Sequence, residues 1–61
     1  MSIPMLKLTI DAYELLAGKC KTNMLNINTS GAEVPLSMEV EFSLLGEAIM
    51  AAKEELKKLK S

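Results

Sequence analysis

The sequence predicts an α+β fold. A small antiparallel sheet of two to three strands, containing the hairpin of residues 22–42, is expected to pack on a long C-terminal helix over residues 43–60, with a short N-terminal helix near residues 11–17. Two observations carry this expectation. Residues 34–42 read V-P-L-S-M-E-V-E-F, so that Val34, Leu36, Met38, Val40 and Phe42 alternate with Pro35, Ser37, Glu39 and Glu41. Successive strand side chains leave on opposite faces, and an alternation of this length fits a half-buried strand. From Ser43 the period changes: Leu45, Ile49, Ala52, Leu56 and Leu59 step by 4, 3, 4 and 3, the spacing of one helix face.

Taken in order, residues 1–4 read as a lead-in, because Pro4 has no amide to give to a ladder and pushes Ile3 towards extended geometry. Leu6, Leu8 and Ile10 alternate with Lys7 and Thr9, which suits a short strand; Met5, Leu6 and Thr9 fit a helical face as well, leaving a helix extended backwards over this stretch as the competing reading. Asp11 is a candidate N-cap with Glu14 three residues on, and Gly18 can close the short helix between them in a left-handed conformation. Thr22 to Asn28 reads T-N-M-L-N-I-N, with Leu25 and Ile27 on one strand face and Met24 on the other. The small polar run Thr29-Ser30-Gly31-Ala32-Glu33 has the make-up of a hairpin loop. Ser43 is a candidate N-cap for the last helix, Gly46 falls in its first turn, and Lys57, Lys58 and Lys60 crowd the end where the helix dipole favours positive charge.

The chain has 61 residues, enough for one domain, and a domain of that size buries only about 60 per cent of its unfolded surface. Such domains gain stability from disulfides, metals or association. Cys20 is the sole cysteine and histidine is absent, so an intrachain disulfide is impossible and a zinc site has no ligand set. Association is the remaining device, and a dimer or higher homo-oligomer is expected. Hydrophobic residues make up 49 per cent of the chain and the net charge is −1, a balance that gives no pull towards polyanions. No apolar run approaches the roughly 18 to 20 residues of a bilayer span, and no basic region precedes a greasy stretch, which makes the cytoplasm the expected setting without membrane attachment.

The residue inventory is hostile to catalysis. With neither histidine nor arginine, general-base or oxyanion chemistry would fall to carboxylates, lysines, Tyr13 or Cys20, and no nucleophile, metal or cofactor is assigned. Cys20 lies between Lys19 and Lys21, which favours thiolate, but it follows the C-terminal end of the expected short helix, which opposes it. Polar groups cluster instead around the expected hairpin. Asn23, Asn26, Asn28, Thr29 and Ser30 beside Glu39 and Glu41 form a candidate ligand site, where neutral amides could orient a small polar molecule at an oligomer axis. Met5, Met24, Met50 and Leu44 form a candidate oligomer or partner interface, since methionine adapts its shape to what it meets.

The initial order of strand, turn and helix resembles the swapped-hairpin DNA-binding domains of bacterial regulators and antitoxins, although their basic residues are missing here. Lys53, Lys57 and Lys60 share a helical face that could touch phosphates, yet without arginine base readout is disfavoured. The leading expectation is a non-enzymatic regulator or inhibitor that acts as a homo-oligomer on a protein partner. A homo-oligomeric binder of a small polar ligand or nucleotide is the alternative, and weak nucleic-acid binding the third.

Overall fold

Ser2 opens the first helix. In the computed structural model, which describes residues 2–60, its hydroxyl accepts from the Met5 amide at 3.3 Å, and its carbonyl accepts from Leu6 at 2.9 Å. Pro4 sits in the first turn, where its missing amide would have had no intrahelical partner, so the residue expected to keep this segment extended helps to start a helix. The helix, α1, runs over Ile3–Thr29 without interruption. A second helix, α2, covers Leu36–Lys60, and the described residues contain no strand. The fold is therefore a helical hairpin, and the expected α+β fold with its antiparallel sheet is overturned.

The alternation at residues 34–42 misled because two helical series can mimic a strand. Met38 and Phe42, an i, i+4 pair on α2, are half-buried towards α1, as is Val34 in the connection just before the helix; Leu36 and Val40 form a second i, i+4 pair turned away from α1, where Leu36 is 73% exposed. Interleaving the two pairs of turns gives a period of two with no pleat beneath it. Pro35 sits immediately before α2, and its carbonyl accepts from Met38 at 3.0 Å and Glu39 at 3.3 Å, so α2 starts well before the expected cap at Ser43. Glu39 falls in its first turn and Lys57, Lys58 and Lys60 in its last, a charge order that suits the macrodipole.

The expected strand of residues 22–28 is the end of α1. Thr22 and Thr29, β-branched residues that favour strands, turn their hydroxyls back on the carbonyls four residues earlier, Gly18 at 3.0 Å and Leu25 at 2.8 Å. Met24 and Ile27 face α2, while Leu25, expected in the core beside Ile27, is exposed. Likewise Asp11 caps nothing and Gly18 closes nothing; both lie inside α1, which spans the expected strand at residues 6–10 and the expected short helix at 11–17. The connection runs over residues 30–35, overlapping the expected loop of residues 29–33 without Thr29, and it joins helices in place of strands. Ser30 is the C-cap of α1, Gly31 takes φ 88°, and the amides of Gly31 and Ala32 donate to Asn28 at 3.0 Å and Ile27 at 3.2 Å. This is the Schellman arrangement, which needs a left-handed residue where glycine stands.

The two helices meet along matched seams. On α1, Ile3, Leu6, Ile10, Tyr13, Ala17, Cys20, Met24 and Ile27 recur at alternating steps of 3 and 4, and each is buried or half-buried. Met38, Phe42, Leu45, Ile49, Ala52 and Leu56 do the same on α2. A 3-4 repeat keeps one narrow stripe facing a neighbour over many turns, as in coiled coils. The stripe from Leu45 onward is the one the sequence pattern indicates. Leu6, Ile10 and Ala52, with Leu56 against them, form the core near the open end of the hairpin, and Cys20 is buried nearer the turn.

Candidate functional site

Glu14 and Lys53 lie beside the seam on their respective helices and approach to 3.7 Å, which marks one broad face of the hairpin. With 3.6 residues per turn, the same side of α1 carries Lys7, Asp11, Lys21 and Leu25, and the same side of α2 carries Glu39, Gly46, Met50 and Lys57. This face is mostly charged.

The opposite face is apolar in its middle turns, between Lys19 and Glu41 on the turn side and Glu55 and Lys58 towards the open end. On α1 it carries Met5, Ala12 and Leu16, with Leu8 and Leu15 at its outer margin; on α2 it carries Leu44, Ala48 and Ala51, with Val40 at the margin. Met5, Leu8, Leu15, Leu16, Val40 and Leu44 are all exposed, Leu44 at 59%. Single apolar residues on a surface are ordinary, but here both helices expose them in consecutive turns on one side, and contiguity of that kind marks interaction surfaces. The sequence holds the α2 part of this face as Leu44, Ala48 and Ala51, beside the seam residues Leu45, Ile49 and Ala52. Helical spacing alone reads these three as a widening of the core-facing stripe, whereas Leu44 and Ala51 are exposed.

Of the expected interface residues, Met5 and Leu44 fall on this apolar face. Met24 is half-buried in the seam between the helices, and Met50, 72% exposed, points out on the charged side. The structure does not bring the candidate ligand residues together. Asn23, Asn26, Asn28, Thr29 and Ser30 spiral around the last turns of α1, all exposed, and the hydroxyls of Thr29 and Ser30 are turned onto the Leu25 and Ile27 carbonyls. Glu39 and Glu41, expected on one strand face, project from different sides of α2. Asn28 and Glu39 do line a shallow groove of about 560 Å³ near the turn, with Lys21, Met24, Leu25, Val34 and Phe42.

Cys20 lies in the seam, its thiol 3.6 Å from the Met38 carbonyl, a weak donor contact that ties the middle of α1 to the first turns of α2. Among the described residues, no three histidine, cysteine or acidic side chains converge as a metal site would require. No described helix is long and apolar enough to cross a membrane. The resemblance to swapped-hairpin DNA-binding domains falls with the strand on which it rested. Comparison with known proteins adds no family: no family model matches the chain, and no curated protein or solved structure does either.

Proposed function

We propose that this chain is a non-enzymatic association module, a helical hairpin that works by docking its apolar face onto the helices of another protein chain. The observation that carries the reading is the unequal pair of faces: Met5, Leu16 and Leu44 stand exposed on one, while the Glu14–Lys53 ion pair sits on the other. An apolar helix surface of this kind gains free energy on leaving water, at about 25 cal/mol per Å² covered. A regulator or inhibitor that engages helical partners is the role it suits. The small-ligand reading has less support, because only Asn28 and Glu39 of the residues expected to bind share a groove. A reducing compartment such as the cytoplasm belongs to this proposal, supported by the single unpaired thiol.

Site-specific photocrosslinking in cells tests it. A benzophenone side chain at position 44 should give protein adducts, and the same group at position 57, on the charged face, should give few. Equal yields from both positions, or none from position 44, would contradict the proposed working surface.

A further inference from the structure

We infer that the occupant of the apolar face is a second copy of this chain, and that the two hairpins stack with their turns at the same end, so that α1 of each lies on α2 of the other in a four-helix bundle. The inference rests on the docking surface proposed above and names its partner.

Surface area supplies the first argument. The chain exposes 4715 Å² for 6.7 kDa, where the usual scaling of surface with mass gives roughly 3,900 Å² for a compact monomer of that size. The excess, roughly 800 Å², is what one partner contributes to a standard protein interface. Shape agrees, since the radius of gyration is 14.2 Å against roughly 10.5 Å expected for a compact chain of this length, and the hairpin measures 47 × 15 × 14 Å. A rod of those proportions becomes more nearly isometric only by gaining a neighbour along its side.

Charge supplies the orientation. Along the hairpin, Cys20 is level with Met38, and Leu6 and Ile10 are level with Ala52 and Leu56. On this register the apolar stripe of α1 ends at Lys19, and the stripe of α2 ends at Glu41, at the same level on the turn side of the stripe; at the other end of the α2 stripe stand Glu55 and Lys58. If two hairpins stack with turns at the same end, each Lys19 lies over the partner's Glu41, twice by symmetry. If they stack with turns at opposite ends, α2 lies on α2 and Glu41 meets the end of the partner's stripe where Glu55 and Lys58 stand together, an acid and a base that offset one another. A two-fold interface repeats every such pairing, so the first arrangement, with two unlike pairs, is favoured.

Sedimentation equilibrium over a dilution series tests both parts. The full chain should fit a monomer–dimer equilibrium, Leu44→Glu should shift it to monomer, and helical circular dichroism should show whether that variant still folds. Lys19→Glu and Glu41→Lys should each weaken the dimer by about tenfold, as expected for two partly exposed ion pairs turned repulsive, and the double variant should regain most of the loss. A wild-type monomer up to millimolar concentration would overturn the second copy, and if position 44 still gives adducts in cells with other proteins only, the docking surface stands without it. A dimer in which the double variant is no tighter than either single one would overturn the stacking order.

Discussion

The Glu14 carboxylate and the Lys53 ammonium meet at 3.7 Å between α1 and α2, each side chain about half exposed. Their meeting fixes which sides of the two helices form one face, and thereby leaves the apolar stripes on the other. An exposed pair of this kind is worth little, because water and salt screen it and two long side chains must be held still. Replacing Lys53 with Gln should lower stability by no more than about 1 kcal/mol, and less in high salt. Urea unfolding at low and high ionic strength measures both quantities.

Leu6 and Leu25 should respond very differently to truncation. Leu6 is 2% exposed in the core with Ile10 and Ala52, so Leu6→Ala should cost roughly 2 to 5 kcal/mol, a large share of what a chain this small can have. Leu25 is exposed on the outside of α1, and Leu25→Ala should stay within about 0.5 kcal/mol. A sheet would reverse the expectation for Leu25, since its core would include that residue beside Ile27. Thermal or urea unfolding of the two variants separates the architectures.

The three glycines divide by backbone conformation. Gly18 and Gly46 lie inside helices, and a methyl group added at either would meet nothing within 4 Å. Each Gly→Ala change there should stabilise the chain by up to about 1 kcal/mol. Gly31 has φ 88°, where an L side chain strains the backbone, so Gly31→Ala should destabilise by about 1 to 2 kcal/mol. Melting temperatures of the three single variants should move up, up and down.

Cys20 should behave as a protected thiol. It is buried in the seam against α2, so a disulfide reagent should modify it much more slowly in the folded chain than in urea, at a rate set by opening of the hairpin. Equal rates in both conditions would mean that the seam is open around it.

The part of the fold legible in the sequence is the C-terminal part of α2, where one helical stripe dominates. From Leu45 to Leu59 only one apolar series is pronounced, and its 4-3-4-3 step indicates the helix directly. A chain reversal around residues 30–33 is equally plain from its glycine and small residues, although the connection extends on through Pro35. Misreading arose where two stripes coincided: Leu36 and Val40 fill the gaps between Val34, Met38 and Phe42, and the sum alternates like a strand. The threonines and asparagines of residues 22–29 compounded it, because their low helix propensity is offset by hydroxyl bonds within α1 and by the long seam against α2, neither of which a local window displays. The same overlap hid the candidate site. Val40, which a sheet would have placed in the interior, stands at the margin of the surface that Leu44 and Ala51 expose, and only the register of two helices separates that surface from the core stripe.

Small-angle X-ray scattering of the chain at micromolar to millimolar concentration tests the central claim most directly, because it reads mass and length together. Two copies stacked along their apolar faces should scatter as a particle of twice 6.7 kDa whose longest dimension stays near the 47 Å of one hairpin. A particle of single-chain mass at every concentration, or a doubled mass with a doubled length, would contradict it.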